Sequence, residues 1–333
     1  MLAWQMTNMQ HTLGGRPLRI LVTGAGGFAG SHLADELLKD EGCEVWGALL
    51  TLDRPHYLDP RIRTVVANLC NPTEVDDLLA AVRPDRVYHL AGQAFVPQSW
   101  ADPWDTIETN VRAQLNIFQS CLHLGFAHTR ILVVGSNEEY GRIDLRDLPA
   151  TEKTPLRPDS PYGVSKIAQD CLGQAYFLSH GVQAIRVRPF NHVGPRQNNR
   201  FVAADFARQI VAIERGEHPP VIRAGNLQAE RDFTDVRDVV RAYVAALEKG
   251  QPGEVYNVAS GIARPVRALL DGLLAHSSCT VTVEVDPAKL RPSDTPRQQG
   301  DATKLMAATG WRPIIPFEQT LKDLLDYERQ HHS

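Results

Sequence analysis

The sequence has few cysteines and no long hydrophobic run. Its 333 residues include five cysteines, which are scattered, odd in number and never spaced as C-x-x-C. This pattern argues against a zinc ribbon and against a disulfide-stabilised secreted fold. No apolar run approaches the ~20 residues that a membrane-spanning helix needs, and residues 1–17 lack the basic and apolar segments of a signal peptide. We therefore expect a cytoplasmic protein that does not span a membrane.

Long basic runs and metal-binding motifs are also missing. The formal net charge is −4, with basic and acidic residues mixed along the chain, so the sequence favours neither nucleic acid nor an anionic membrane as a partner. The twelve histidines form no H-E-x-x-H or H-x-H motif, so we assign no metal site. A small phosphate-bearing ligand needs only local positive groups and is compatible with this charge balance.

Strand-like and helix-like patterns alternate from Leu18 to about His192. The chain is 43% hydrophobic, which is enough for a sizeable core. Short apolar runs of the kind expected for buried parallel strands occur at Arg19–Thr23, Glu44–Leu50, Thr64–Ala67, Arg86–Leu90 and Arg130–Gly135. Helical patterns lie between them at Ser31–Lys39, Thr73–Val82, Thr106–His123 and Tyr162–Ser179. This alternation predicts an α/β fold built on a doubly wound parallel sheet.

Beyond His192 the alternation breaks down, and Pro and Gly become denser, as in Glu217–Pro220 and Leu290–Ser293. We predict a smaller C-terminal α/β lobe that is interleaved with the first domain. The predicted division is a loose N-terminal tail at residues 1–17, the alternating domain at residues 18–190 and the smaller lobe at residues 191–330.

A glycine-rich turn follows the first predicted strand and opens the first predicted helix. Gly24, Gly27 and Gly30 form G-x-x-G-x-x-G within Thr23–Gly30. In Rossmann-type domains the first glycine permits a tight turn, the second lets the backbone approach a pyrophosphate, and the third lets helix and strand pack closely. The pyrophosphate then lies at a helix N-terminus. An ordinary glycine-rich turn is the alternative, but the position between a strand and an amphipathic helix favours a dinucleotide site.

The end of the second predicted strand leaves the choice of dinucleotide open. An acid at this point binds the adenosine ribose of NAD, whereas a nearby arginine favours the 2′-phosphate of NADP. Here the strand ends in Ala48–Thr51, and Asp53 and Arg54 follow slightly later. A surface charge pair explains these two residues equally well. The sequence therefore predicts NAD or NADP as the cofactor without choosing between them.

Tyr162 and Lys166 form a Y-x-x-x-K pair, which lies on one face of a helix. We expect the ammonium to lower the pKa of the phenol, so that Tyr162 exchanges a proton with a carbinol or a carbonyl. A partly exposed Tyr/Lys pair is the alternative when the motif stands alone. Ser136 favours catalysis, because it follows the fifth strand at the carboxyl edge of the sheet, where open α/β folds bind ligands.

Together these motifs resemble the extended short-chain dehydrogenases/reductases, the NAD-dependent epimerase/dehydratase family. The resemblance runs from Leu18 nearly to the end of the chain. It rests on Thr23–Gly30, His89–Gly92, Ser136–Gly141, Tyr162–Lys166 and Arg188–Pro195. Within the family, the likeness is closest to the branch of GDP-mannose 4,6-dehydratases and GDP-4-keto-6-deoxy-D-mannose reductases. The segments that look closest to the reductases are Phe190–Pro195, Gly225–Leu227, Arg231–Asp238 and Leu290–Asp294.

The resemblance assigns roles to residues by their position. The implied dinucleotide-binding residues are Gly24, Gly27, Phe28, Gly30, Asn68, Leu69, Ala91, Gly92, Tyr162 and Lys166. Asn68 stands where the family usually has an aspartate near the adenine. The implied catalytic residues are Ser136, Glu138, Tyr162 and Lys166. The implied ligands of a nucleotide-sugar, expected to be GDP-linked with the arginines on its diphosphate, are Asn191, Arg231, Arg291 and Asp294.

The resemblance implies an oxidoreductase that acts on a nucleotide-sugar. We expect NAD(P)H-dependent reduction of the C4 ketone of GDP-4-keto-6-deoxy-D-mannose to GDP-D-rhamnose or its C4 epimer. In the 4,6-dehydratases a glutamate at the position of Glu138 removes the C5 proton, so a GDP-mannose 4,6-dehydratase with internally recycled NADP is one alternative. Those enzymes, however, have threonine at the position of Ser136. A non-catalytic dinucleotide-binding regulator is the second alternative, although such proteins usually lose the tyrosine or the lysine.

The resemblance also implies a homodimer. The helices predicted at Thr106–His123 and Tyr162–Ser179 would form a four-helix seam between two copies of the chain. Leu115, Ile117 and Phe118 are candidate contacts in that seam, and burial in the core explains them equally well.

Overall fold

The computed structural model describes residues 12–13, 16–290 and 295–331. Its strands, in chain order, are β1 (Thr12–Leu13), β2 (Arg16–Thr23), β3 (Cys43–Leu49), β4 (Arg63–Val66), β5 (Arg86–His89), β6 (Arg130–Val134), β7 (Gln183–Pro189), β8 (Asn191–Val193), β9 (Val221–Ala224), β10 (Glu230–Asp235), β11 (Val255–Val258), β12 (Ala263–Pro265) and β13 (Thr282–Val285). Its α-helices are α1 (Phe28–Leu37), α2 (Pro72–Val82), α3 (Val96–Ala101), α4 (Pro103–Ile107), α5 (Ala113–His123), α6 (Pro161–His180), α7 (Val202–Glu214), α8 (Val236–Lys249), α9 (Val266–Leu274), α10 (Thr303–Thr309) and α11 (Phe317–His331).

The central sheet is parallel, with strands in the order β11-β7-β6-β5-β2-β3-β4. Its strands are apolar because both faces are covered. Ile20 and Val22 of β2 belong to the core on one face, and Leu21 belongs to the core on the other. This arrangement confirms the predicted α/β class with a doubly wound sheet.

Helices cover both faces of this sheet. On one face α1 packs against α8, and on the other α2 packs against α5. Ile117 and Phe118 of α5 are almost fully buried in the second core, and each such side chain contributes about 1.5–3 kcal/mol of transfer free energy. These two residues are therefore core residues, and they are not available as contacts with a second copy.

The order of the strands reverses at β2. From there the chain runs outward through β3 and β4, and then returns to the other side of β2 with β5. The connections that follow β2 and β5 leave in opposite directions, which opens a crevice at the carboxyl edge of the sheet. The glycine turn after Thr23 and the loop after His89 both lie at this edge.

A third core, separate from the two that cover the faces of the first sheet, lies in the C-terminal half. It is formed by α7, α9 and α11 with the small sheet β12-β10-β8 and the pair β13-β9. The chain also returns to the first sheet, since β11 pairs with β7 and α8 packs on α1. The predicted division of the chain at residue 190 stays a prediction.

Part of the segment predicted as an N-terminal tail belongs to the first sheet. The sequence predicts a loose segment up to residue 17, but β2 begins at Arg16, and β1 pairs with Arg16 and Pro17 in an antiparallel ladder. Residues 1–11 and 14–15 lie outside the described part of the chain.

The single helix predicted at Thr106–His123 is built from shorter pieces. The segment contains the end of α4, a π-helical turn at Glu108–Arg112, and α5. Sequence patterns did not indicate α3 or the beginning of α4. Both helices have a proline in their first turn, Pro97 in α3 and Pro103 in α4, and Asp102 caps α4 by accepting the N–H of Asp105 at 3.0 Å. First-turn prolines rather than apolar periodicity mark these helices.

None of the helices in the described residues is long and apolar enough to cross a membrane. In the same residues, no three His, Cys, Asp or Glu side chains are grouped to hold a metal ion.

Candidate active site

The glycine turn fits the diphosphate of a dinucleotide. Gly24 has a φ of +67°, and a Cβ there would lie 2.9 Å from the backbone N of Ala91. A Cβ on Gly30 would lie 2.1 Å from the carbonyl oxygen of Gly24, so α1 approaches the turn closely only without this side chain. Gly27 is the N-cap of α1, and no side chain hydrogen bond caps this helix. Its first N–H groups are therefore suited to bind an anionic diphosphate.

The side chain of Phe28 packs away from the turn. Its ring stacks on His192 with a centroid distance of 5.6 Å and an interplanar angle of 13°, and His32 meets its edge. The dinucleotide contact predicted for Phe28 stays a prediction, and the backbone of this residue lies in the first turn of α1. The stacked pair also joins α1 to β8 of the second lobe.

The loop after β5 is fixed against the glycine turn. The backbone N–H of Ala91 donates to Thr23 Oγ1 at 3.1 Å, and the same hydroxyl bonds to His89 Nδ1 at 2.9 Å. Burial lowers the pKa of His89 to about 3, so its ring is neutral. A Cβ on Gly92 would lie 2.6 Å from Asn110 Oδ1. Ala91 and Gly92 thus lie beside the turn, where their predicted contact with the nicotinamide ribose requires them.

Asn68 and Leu69 follow β4 at the same edge of the sheet. Asn68 is exposed, and its Oδ1 accepts the N–H of Cys70 at 3.0 Å. Leu69 is buried, and its carbonyl accepts Asn116 Nδ2 at 2.8 Å. The structure thus shows both residues shaping the turn before α2, and their contact with the adenine stays a prediction.

The end of β3 carries no acid that could bind a ribose. The residues from Ala48 to Leu52 are uncharged, and Leu50 is 73% exposed. The Arg54 guanidinium donates to the carbonyl oxygens of Ile62 at 3.1 Å and Asp59 at 2.5 Å. Arg54 therefore closes its own loop rather than standing free in the crevice.

Ser136 and Tyr162 meet at the carboxyl edge of the sheet. Ser136 follows β6 and begins a 3₁₀ turn, where its Oγ accepts the N–H of Glu138 at 3.2 Å. Tyr162 lies in the first turn of α6, which Ser160 caps by accepting the N–H of Gly163 at 3.1 Å. The side chains of Ser136 and Tyr162 are hydrogen-bonded to each other. The structure therefore brings together two of the side chains that the sequence predicts to be catalytic.

The predicted fall in the pKa of Tyr162 is wrong. Burial raises the pKa of Tyr162 well above its ordinary value, and the hydrogen bond with Ser136 lowers it by a smaller amount. The charges of Glu138 and Glu139 raise it further. Tyr162 is only 8% exposed, so loss of solvation outweighs the neighbouring hydroxyl. The phenol is therefore protonated at neutral pH.

Lys166 lies one turn beyond Tyr162 on α6. Its Nζ lies 5.8 Å from the centroid of the Tyr162 ring, and it donates to the carbonyl oxygen of Val134 and to Gln169 Oε1, both at 2.9 Å. Burial lowers the pKa of Lys166 to about 8. The ammonium is thus held by neutral acceptors, close enough to stabilise a charge that develops on the phenol.

Glu138 and Glu139 differ sharply in their surroundings. Glu138 is half-buried, and its charge acts on Tyr162, which agrees with its predicted place in the site. Glu139, by contrast, is fully buried. Its Oε1 accepts the backbone N–H of Ser136 at 2.8 Å, and its Oε2 lies 2.9 Å from Arg188 Nε.

Two of the four predicted substrate ligands lie on neighbouring strands. Asn191 begins β8 and pairs in register with Phe233 of β10, two residues beyond Arg231. Among the described residues, no group donates a hydrogen bond to the buried Asn191 Oδ1. Arg231 Nη1 donates to the carbonyl oxygens of Glu230 and Thr295, both at 2.8 Å.

The other two predicted substrate ligands, Arg291 and Asp294, lie outside the described residues. The chain on both sides of them is described, and it leads from β13 to Thr295 beside Arg231. Their role in binding the nucleotide-sugar stays a prediction.

Sequence reasoning did not identify two polar residues of the site. Gln169 is buried and accepts from Lys166, and its spacing of three residues on the helix was the available signal. Asn137 is also buried, and its Nδ2 has no partner among the residues that the structure describes. Its position directly after Ser136 was the only signal in the sequence.

Comparisons with known proteins agree with this geometry. The family model described as GDP-mannose 4,6 dehydratase matches residues 21–324. A GDP-6-deoxy-D-mannose reductase from Pseudomonas aeruginosa is 36% identical over 93% of this chain and 97% of its own length. A GDP-mannose 4,6-dehydratase from Sinorhizobium fredii is 28% identical over 91% of this chain and 93% of its own length.

The fold comparison gives the same assignment. The structure of RMD from Pseudomonas aeruginosa complexed with NADPH has a TM-score of 0.82 and 33% identity, and the match covers 94% of this chain and 99% of that one. Similarity to the family thus extends over the sheet, the glycine turn and the Ser136–Tyr162–Lys166 group. With a family match over most of its length and a 36% identical relative aligned nearly end to end, this chain belongs to the GDP-mannose 4,6 dehydratase family.

Proposed function

We propose that this protein reduces the C4 ketone of GDP-4-keto-6-deoxy-D-mannose to an alcohol, giving GDP-D-rhamnose or its C4 epimer. The observation that carries this proposal is the hydrogen-bonded, buried pair of Ser136 and Tyr162 beside Lys166. It lies at the edge of the sheet where open α/β folds bind ligands. The 36% identity to a GDP-6-deoxy-D-mannose reductase supports the direction of the reaction.

The protonation of Tyr162 fits a reduction. Reducing a ketone adds a hydride to the carbon and a proton to the oxygen, so the site needs a protonated donor. Burial keeps the proton on Tyr162 at neutral pH by raising its pKa, and Tyr162 then donates it to the C4 oxygen. The hydroxyl of Ser136 holds the same oxygen. Lys166 stabilises the phenolate that remains.

The residues present fit a nicotinamide dinucleotide, which supplies the hydride when it is bound. Gly24, Gly27 and Gly30 leave room for the diphosphate at the N-terminus of α1. Ala91 and Gly92 adjoin this turn. Because β3 ends without a carboxylate that would bind a free ribose 2′-hydroxyl, and the related reductase structure is complexed with NADPH, we favour NADPH over NADH.

The strand pair β8 and β10 provides the substrate wall. Asn191 Oδ1 is buried without a donor among the described residues, and such an atom costs about 1–3 kcal/mol unless a ligand donates to it. A sugar hydroxyl supplies this donor. Arg231, with Arg291 and Asp294 by position, is assigned to the nucleotide and its diphosphate.

The experiment is a turnover assay with the purified protein. GDP-4-keto-6-deoxy-D-mannose is mixed with NADPH or NADH, and the absorbance of the reduced nicotinamide is followed. We expect one equivalent of NADPH to be oxidised for each ketone reduced, with slower oxidation of NADH. An absence of stoichiometric oxidation with both cofactors contradicts the proposed reductase.

A 4,6-dehydratase is the second candidate, and the observation that favours it is Glu138. This acid is half-buried beside Tyr162, where a base for the C5 proton is required in that reaction. The assay for it supplies GDP-mannose and NADP without the keto sugar. Formation of the keto sugar without net cofactor change, abolished in Glu138→Gln, would replace the reductase with the dehydratase.

We also propose that the protein acts as a cytoplasmic homodimer. Large apolar side chains are exposed on the predicted seam helix α6, at Leu178 (71% exposed), and on α3 and α4 just before the other seam segment, at Trp100 (63%) and Trp104 (77%). All five cysteines are free thiols, which suits a reducing compartment. Analytical ultracentrifugation should give twice the mass of the chain, and a monomer at micromolar concentration contradicts the dimer.

A further inference from the structure

The fully buried carboxyl group of Glu139 lies directly behind Ser136. Its Oε1 accepts the backbone N–H of Ser136 at 2.8 Å, and the N–H of Glu139 donates back to the carbonyl oxygen of Ser136 at 3.2 Å. This approach depends on Gly135, because a Cβ there would lie 2.1 Å from Glu139 Oε1. Ser136 is therefore held from inside the protein through its backbone.

The carboxyl group of Glu139 also contacts Asp170. Arg188 joins the two groups, because its Nε lies 2.9 Å from Glu139 Oε2 and donates to Asp170 Oδ2 at 2.7 Å. Arg186 donates to the other oxygen of Asp170. Burial, followed by the charge of Asp170, raises the pKa of Glu139 well above its ordinary value.

Asp170 connects this contact to the catalytic helix. Tyr162, Lys166 and Asp170 are spaced four residues apart on α6, so they lie along one face. The hydrogen bond from Ser136 to Glu139 and the contacts of Arg188 with both Glu139 and Asp170 therefore join the serine's loop to the helix that carries the tyrosine and the lysine.

We propose that Glu139 is a positioning residue that holds Ser136 against Tyr162 by joining the loop after β6 to Asp170 on α6. It does so as a neutral hydrogen-bonding group, and it neither touches the substrate nor exchanges a proton with it. The inference rests on the proposed reductase activity, because the placement of Ser136 is read out through turnover.

A double-mutant cycle tests this role. Glu139→Met fills a similar volume but removes the acceptor for the Ser136 N–H and the contact with Arg188, and we expect kcat to fall about 10–100-fold with little change in the KM for NADPH. In a Ser136→Ala background the same substitution should change kcat less than about 3-fold, because the hydroxyl that Glu139 positions is already gone. Losses that multiply in the double variant would overturn the proposal.

The conservative variant Glu139→Gln tests the neutral role. Its amide oxygen accepts from Ser136, and its amide nitrogen donates to Asp170, so we expect kcat within about 3-fold of the unmodified protein. A loss as large as that in Glu139→Met overturns the proposal. If the Met variant does not fold, the Gln variant still decides the outcome, because its size and hydrogen bonds match those of a neutral glutamate.

Asp238→Asn is the matched control for losing a buried carboxylate. Asp238 is fully buried on α8 and accepts the N–H groups of Ile314 and Ile315, both at 2.8 Å. We expect this variant to lower Tm and leave kcat unchanged, and a kcat loss equal to that of Glu139→Met would overturn the specific link. An unmodified protein without turnover refutes the reductase itself, whereas an active protein with multiplying losses refutes only the role of Glu139.

Discussion

At the scale of single residues, burial sets the protonation states in the site. It raises the pKa of Tyr162, lowers the pKa of Lys166 to about 8 and lowers the pKa of His89 to about 3. In each case the neutral form is favoured, because removal from water penalises the charged form. At neutral pH the site therefore contains a protonated phenol at Tyr162 and a neutral imidazole at His89.

Tyr162→Phe should abolish most turnover while the protein still binds the dinucleotide. The phenol is the only group we assign as proton donor, and such donors contribute about 10²–10⁴-fold to rate. Steady-state kinetics and fluorescence titration with NADPH measure the two effects separately. Retained turnover in this variant would show that a group other than Tyr162 donates the proton.

The pH dependence of kcat should report Lys166. The lysine is charged below its pKa of about 8 and neutral above it, so kcat should fall as the pH rises through that value, when the phenolate of Tyr162 loses its cationic neighbour. In Lys166→Arg the guanidinium stays charged, and the fall should move to higher pH. A fall at the same pH in both proteins would show that another group causes it.

The identities of Ser136, Tyr162 and Lys166 could be predicted because order and spacing along the chain carry that signal. The raised pKa of Tyr162 could not be predicted, because the prediction considered the nearby lysine and not the loss of solvation around a buried phenol. Glu139 was missed for a related reason. Its burial depends on Arg186, Arg188 and Asp170, which lie far along the chain.

At the scale of elements, the glycine turn between β2 and α1 offers a matched pair of substitutions. Gly24 and Gly125 have similar φ angles of +67° and +76°, but only a Cβ on Gly24 would meet backbone atoms, those of Leu90 and Ala91. Gly24→Ala and Gly125→Ala should each lose about 1–2 kcal/mol of unfolding free energy. Only Gly24→Ala should also weaken NADPH binding.

Chemical denaturation and fluorescence titration of both variants check this expectation. Unchanged NADPH affinity in Gly24→Ala would separate the glycine turn from the dinucleotide site. Weakened affinity in Gly125→Ala would mean that a general loss of stability, and not local geometry, explains the effect.

The strands of the first sheet could be predicted well, because each is a short apolar run buried on both faces. The π-helical turn at Glu108–Arg112 and the helix α3 could not be predicted. Neither segment has apolar residues at the regular spacing that indicates a helix. Both segments pack against α6, and α3 has a proline in its first turn.

At the scale of the whole molecule, the first sheet is incomplete without residues from the second half of the chain. Val239, Tyr243 and Leu247 of α8 and Val258 of β11 are buried in the same core as Ile20. A fragment of residues 16–190 lacks all of these except Ile20. We therefore expect it to unfold without a cooperative transition, whereas the full chain unfolds cooperatively.

Circular dichroism during thermal unfolding of the fragment and the full chain distinguishes these outcomes. A fragment that unfolds cooperatively would support the predicted boundary at residue 190 as that of an independent unit. The sequence suggested an interleaved second lobe from the loss of alternation alone, and it contained no signal for which later strand would return to the first sheet.

The pairing of β11 with β7 has a consequence for synthesis of the protein. The nascent chain exposes Gln183–Pro189 long before Val255–Val258 is translated, and at ~5–20 residues per second the delay lasts several seconds. During that interval the outer edge of β7 presents unpaired N–H and C=O groups, which is the arrangement that recruits other chains into aggregates. Yield in a rapidly translating host should therefore depend on factors that shield this edge until the last strand of the sheet arrives.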